Sequence, residues 1–205
     1  MLLPSKLLPD WRFCASCESN SPPRSYHCNV CDACIAKRDH HCTFAASCIG
    51  YFNFRYYFTL LIYITIGALY ASILNMFFIW DVLGGFTAYN FMAHTFPFIF
   101  WVLGLLPFKI MVWCMISVID VCGFMFAVGM LVYHGSLLVS NQTVYEKNKA
   151  IHKYDLKHWK ANVCESLGQR WFLVWISPWL KSELPRNGID FPSYKEYKLK
   201  SHKNK

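Results

Sequence analysis

Seven of the chain's ten cysteines lie between Cys14 and Cys48, mixed with three histidines. The order is Cys14-x2-Cys17, a gap, His27-Cys28-x2-Cys31-x2-Cys34, then Asp39-His40-His41-Cys42, and Cys48 after five more residues. Thiolates and imidazoles at such spacing are ligands for zinc, which takes four of them in a tetrahedron. Two closed sites need eight ligands and ten candidates are present, whereas a single finger would strand six of the ten, at least three of them thiols. The two ligand types left over are free for other chemistry. In Asp39-His40-His41-Cys42 an acid, a base and a nucleophile are adjacent. A thiol becomes reactive as its thiolate, and an imidazole oriented by a carboxylate can take its proton. The alternative is a purely structural cluster with Cys42 as a spare ligand.

Several features bear on what must position these residues. Residues 10–50 have little apolar periodicity and cannot bury an ordinary core, so metal binding is expected to supply their folding free energy. Met1–Pro9 is too short, and too interrupted by Pro4 and Pro9, to read as a secretory leader. The cysteines are therefore expected in a reducing compartment, as ligands or reactive thiols rather than disulfides.

Composition places the remainder in a bilayer. Of 205 residues, 55% are hydrophobic, 18% aromatic and only 16% charged, against about 25% charged in soluble domains. Residues 1–55 carry net +2, residues 56–140 net −1 and residues 141–205 net +7. Basic flanks stay on the cytosolic side and attract anionic lipid headgroups, so an even number of spans is expected. The domains expected are a cytosolic Cys-rich segment, 1–55, and a transmembrane helix, 56–80. A lumenal or re-entrant hydrophobic segment follows, 81–119, where an extra span at 97–119 would have to carry Lys109 across. Then come a second transmembrane helix, 120–140, and a cytosolic basic tail, 141–205. Leu156, Trp159, Val163 and Leu167 predict an amphipathic helix in the tail. Gly67, Gly84, Gly85, Gly123 and Gly129 are candidates for close helix approach or for leaving room beside a bound chain. No internal repeat is evident. A zinc-finger nucleic-acid binder fits poorly: there is no basic reading helix, and the cluster adjoins a span.

Asp39-His40-His41-Cys42, set in this cluster just before a span, resembles the DHHC family of protein S-acyltransferases. The likeness includes Pro22-Pro23-Arg24-Ser25, Cys48-Ile49-Gly50, Asn53 and Arg55. It extends to Thr143-Val144-Tyr145-Glu146, similar to the family's TTxE box with Val144 in place of its second threonine, and to Asn162 in the tail. Phe44, Ser47 and Tyr57 stand where the family usually has Trp, Asn and Phe.

The resemblance implies an α-helical integral membrane protein, with transmembrane helices and a small cytosolic loop-rich domain organised by two zinc ions. It implies that Cys14, Cys17, His27 and Cys34 hold one zinc and that Cys28, Cys31, His41 and Cys48 hold the other. Cys42 is then the nucleophile, His40 its base and Asp39 the orienting acid, with Thr143, Glu146 and Asn162 as supporting residues. The expected activity is transfer of a fatty acyl group, typically palmitoyl, from acyl-CoA to cysteines of membrane-associated proteins through acyl-Cys42. Lys37 and Arg38 are placed to meet the CoA phosphates. Membrane lipids, acyl-CoA and proteins with cytosolic cysteines are the expected partners, and nucleic acid is not. A multi-pass protein of the endoplasmic reticulum or Golgi is expected. Family members usually have two further spans ahead of the cluster, so the chain reads as truncated. The alternative function is a weakly active zinc-binding adaptor or regulator of longer relatives.

Overall fold

The computed structural model describes residues 10–177 and 179–203; the segment judged against a leader, 1–9, lies outside them. The Cys-rich segment is three short hairpins. β1 (Arg12–Cys14) pairs with β2 (Ser19–Ser21), β3 (Tyr26–Cys28) with β4 (Ala33–Ile35), and β5 (His40–Cys42) with β6 (Ser47–Ile49), all antiparallel. First strands begin at 12, 26 and 40 and second strands at 19, 33 and 47. The segment is therefore a 14-residue repeat, which corrects the reading that no repeat is present. Each hairpin turns through four residues and closes on a left-handed one, Glu18, Asp32 or Ala46, at φ of 47°, 48° and 47°. None is glycine, so each turn holds mild backbone strain. The hairpins have almost no apolar interior of their own, which fits a fold held by side-chain ligands.

Two long helices follow, α1 (Phe54–Val82) and, later, α4 (Phe108–Val139). Both are long and apolar enough to cross a membrane. Asn53 starts α1: its side chain accepts from the Gly50 N–H and donates to the Cys48 carbonyl. Between them lie α2 (Ala88–Thr95), capped by Thr87, and α3 (Pro97–Val102), with proline at its first position.

The second long helix departs from the expected 120–140. It begins at Phe108, so residues 108–119 belong to it and not to a separate hydrophobic segment or a third span. At 1.5 Å per residue, its 32 residues extend about 48 Å, well beyond a roughly 30 Å hydrocarbon core. Lys109 thus falls in the first turn, where its ammonium lies 4.8 Å from the Trp113 ring centre and can reach the interface. Pro107 fixes the start, because proline is tolerated in the first turn of a helix but not inside it.

The chain divides into two compact units. The first comprises the residues up to Thr59 and from Tyr133 onward; the second is Leu60–Val132. In the second unit Ala93, Leu106 and Met111 form a small core, His94 bonds to Ser117 at 3.0 Å, and Phe78 packs on Trp113. A Cβ at Gly67, Gly84, Gly85, Gly123 or Gly129 would meet nothing within 4 Å, so none of the five makes the close helix approach that was one of the two expectations for them.

In the first unit the tail forms α5 (Val144–Asn148), α6 (Trp159–Leu167) and α7 (Tyr194–Lys203). The apolar face predicted for the tail helix is buried within the protein at Leu156, Val163 and Leu167, while Trp159 is exposed. Gly50 marks a tight contact between the second and third hairpins: a Cβ there would sit 2.7 Å from Ile35 Cγ2 and 2.8 Å from the Ala36 carbonyl.

Candidate active site and metal centres

Strand alternation sorts the ligands. Successive side chains on a strand point to opposite faces, and directly opposed residues of a pair share a face. On β3, His27 faces one way with its cross-strand partner Cys34, and Cys28 faces the other. On β5, His41 faces one way with its partner Cys48, while His40 and Cys42 share the opposite face. Two clusters result, Cys14–Cys17–His27–Cys34 and Cys28–Cys31–His41–Cys48, each with all ligand atoms within 4.8 Å of one another. Each joins the Cys-x2-Cys turn of one hairpin to the His/Cys pair of the next.

The donor sets and spacings suit zinc. Zn–S near 2.3 Å and Zn–N near 2.0–2.1 Å give tetrahedral edges of about 3.8 Å for S···S and about 3.6 Å for S···N. Cys31 and Cys48 sulfurs are 3.7 Å apart. His41 Nδ1 is 3.3, 3.7 and 3.7 Å from Cys31, Cys28 and Cys48, and His27 Nδ1 is 3.2 Å from Cys17. Arg38 donates its Nε–H to Cys48 Sγ at 3.5 Å, positive charge beside a sulfur that must be anionic to bind metal.

The repeat also shows why Cys42 stands outside both clusters. Cys14, Cys28 and Cys42 occupy the same place in the three hairpins. The second turn cysteine is Cys17 in the first, Cys31 in the second and Ala45 in the third. No fourth hairpin follows to supply a His/Cys pair, because α1 begins at Phe54. Cys42 is thus the leading cysteine of a turn that lacks its other ligands, and it is buried at 8% exposure.

On the same face, His40 Nδ1 lies 2.8 Å from Asp39 Oδ2. Asp39 is itself held: Oδ1 accepts the Val144 backbone N–H at 2.9 Å. That donor belongs to the first residue of α5, whose start is fixed by a capping box between Thr143 and Glu146. Val144 has no side-chain donor, and it is its backbone that makes this contact. Glu146 accepts two bonds from Arg24 at 2.8 Å, and Arg24 also donates to the Asn141 carbonyl at 2.8 Å. Asn162 donates to the Val139 carbonyl and to Asp155 and accepts from the Leu156 N–H, tying the end of α4 to the tail.

Lys37 does not stand where a CoA phosphate could reach it, a correction to the expected role. It is buried, and its ammonium donates to Asn141 Oδ1 at 2.9 Å and Ser166 Oγ at 2.7 Å. Burial, with Arg24 nearby, pulls its pKa down to about 7. Arg38, half-buried, is turned toward Cys48.

One residue at the site escaped sequence reasoning. His134, buried on α4, places Nδ1 3.6 Å from Asp39 Oδ2, and Tyr57 packs edge-on against both His40 and His134. The available signal was a histidine inside an expected span whose one formal charge is Asp120 at its start, and an ionisable residue there is a functional candidate by default.

The chain is similar to known proteins over most of its length. The family model for DHHC palmitoyltransferase matches residues 8–151. Probable palmitoyltransferase ZDHHC24 of Danio rerio is 37% identical over 182 residues, and its Homo sapiens counterpart 36% over 191. Each alignment covers 88% of this chain, which spans 61% and 64% of the respective relatives' lengths. The match takes in all three hairpins, both long helices and the Thr143–Glu146 turn, and the chain belongs to the DHHC palmitoyltransferase family.

Proposed function

We propose that the chain carries the acyl-transfer centre of a protein S-palmitoyltransferase. The observation that carries this reading is the Asp39–His40–Cys42 face of β5: a thiol outside both metal clusters, beside an imidazole whose Nδ1 is 2.8 Å from a fixed carboxylate. His40 accepts the Cys42 proton through its other nitrogen. The thiolate attacks the thioester carbonyl of a fatty acyl-CoA, CoA thiolate leaves with a proton, and acyl-Cys42 remains. A cysteine thiol of a membrane-associated protein then gives its proton to His40 and attacks the acyl carbonyl, and the proton passes on to the departing Cys42 sulfur. Asp39 holds the His40 tautomer and offsets the imidazolium charge.

Zinc would be held by Cys14, Cys17, His27 and Cys34, and by Cys28, Cys31, His41 and Cys48, where it would fix the hairpins without taking part in the transfer. The start of α1 and the end of α4 lie in the same unit as the hairpins and the tail. This arrangement, with the basic flanks, supports two spans with both flanks cytosolic and the thiol at the bilayer surface, where polar CoA and an apolar chain separate. The test incubates the purified chain with palmitoyl-CoA. CoA release matched by hydroxylamine-labile acyl groups on the protein is expected; CoA release without them would mean simple thioester hydrolysis and overturn the reading.

A further inference from the structure

His134 is a buried polar group that the transfer mechanism leaves without a role. Its Nδ1 has no hydrogen-bond partner, and its side chain is 3% exposed. The nitrogen sits 3.6 Å from Asp39 Oδ2, beyond hydrogen-bond length. His40 Nδ1 approaches that same oxygen, and the three ligand atoms lie within 4.8 Å of one another. Two ligands of one tetrahedral ion, with metal–N near 2.0–2.1 Å and metal–O near 2.0–2.2 Å, stand about 3.4 Å apart. The His134–Asp39 separation is close to that edge, and His40 needs to withdraw by about 0.6 Å. Tyr57 walls both imidazoles, with ring centres 5.1 Å from His40 and 5.0 Å from His134.

We propose that Asp39, His40 and His134 form a third metal site, open at its fourth position, which binds a borderline divalent cation such as Zn2+ reversibly. Two imidazoles, one carboxylate and an open position are the ligand set of exchangeable zinc centres, as opposed to the closed thiolate-rich sets in the hairpins. One carboxylate against a dication leaves net positive charge on the face that also carries Cys42, so its thiolate is the natural fourth partner. Access is through His40, which is 24% exposed, against 3% for the other two side chains. Binding at Nδ1 shifts the His40 proton from Nδ1 to Nε2, so that the ring nitrogen that would serve Cys42 as a base is no longer free. Zinc beyond what fills the hairpin sites therefore halts acyl-Cys42 formation. That consequence rests on the proposed acyltransferase reading; the number of ions bound does not.

The experiment equilibrates the full chain in detergent, both thiolate-rich sites loaded, against low-micromolar free Zn2+ and counts metal per chain by mass spectrometry. Three ions are expected in the wild type and two in His134→Leu and in His40→Ala. The two variants lie on different elements, and retention of two ions reports that the hairpins are folded. A wild type that stops at two ions, or a third ion retained in either folded variant, would overturn the site. With the third ion bound, iodoacetamide alkylation of Cys42 should fall about tenfold or more, a readout that needs no acyl transfer.

Discussion

Replacing Glu146 with glutamine should loosen the catalytic face from a distance. The Glu146 carboxylate is buried at 2% exposure and takes three donors: Arg24 Nε and Nη2, each at 2.8 Å, and the Thr143 N–H at 2.9 Å. Glutamine keeps one acceptor oxygen and turns an N–H toward a guanidinium that has no exposed side-chain surface. Breaking a buried ion pair costs about 3–5 kcal/mol. The remaining bond and the Asn141 carbonyl on Arg24 put Glu146→Gln near the lower end, about 3 kcal/mol. For a chain of this size that corresponds to a fall of about 6–12 °C in the midpoint of zinc release on heating. Because the capping box sets the start of α5, the Val144 N–H loses its aim at Asp39, and acyl-Cys42 formation should slow alongside. Arg24→Met should cost a similar amount, and the double variant much less than the sum, a coupling of about 2 kcal/mol or more. Single variants that shift the midpoint by under about 2 °C, or additive effects, would refute the reasoning.

Ala45→Cys restores the second cysteine of the third turn and should draw Cys42 into a metal or disulfide bond; unchanged alkylation of Cys42 would contradict this. Gly50→Ala forces a Cβ to within 2.8 Å of the Ala36 carbonyl and should destabilise the hairpins by about 1–3 kcal/mol, read as earlier zinc release. Lys37 has a folded pKa of about 7 against 10.5 when exposed, so between those values the unfolded chain binds the extra proton. Stability should therefore fall as pH drops from about 10 to about 7 and level off below. Lys37→Met should flatten that slope in thermal unfolding, and an unchanged slope would exclude a buried neutral lysine.

The chemistry was more legible than the architecture. Cysteine and histidine spacing marks ligands because the metal demands those residue types, so the cluster showed in the sequence without any helix or strand assigned. The 14-residue repeat was hidden because the first hairpin holds Phe13 and Asn20 where the next two hold His27 and His41, and Cys34 and Cys48. Among the strand and turn positions only the leading cysteine, Cys14, Cys28 or Cys42, is the same in all three. Lys109 misled the placement of the second long helix, since its distance from the helix start, which decides whether a lysine reaches water, depends on where Pro107 lets the helix begin. Lys37 looked like a surface cation because burial by Asn141 and Ser166, more than a hundred residues on, leaves no local trace. His134 was passed over for the same reason: its partner Asp39 is distant in sequence.

The central claim is that Cys42, outside both metal clusters, carries the acyl group. The most direct measurement is peptide mass mapping of the chain after palmitoyl-CoA treatment, on wild type and Cys42→Ser with metal content checked. One hydroxylamine-labile acyl group on Cys42 is predicted in the wild type, and none in Cys42→Ser, with two zinc ions retained in both. Equal acylation of Cys42→Ser, on Cys114, Cys122, Cys164 or a supposed ligand, would contradict the account.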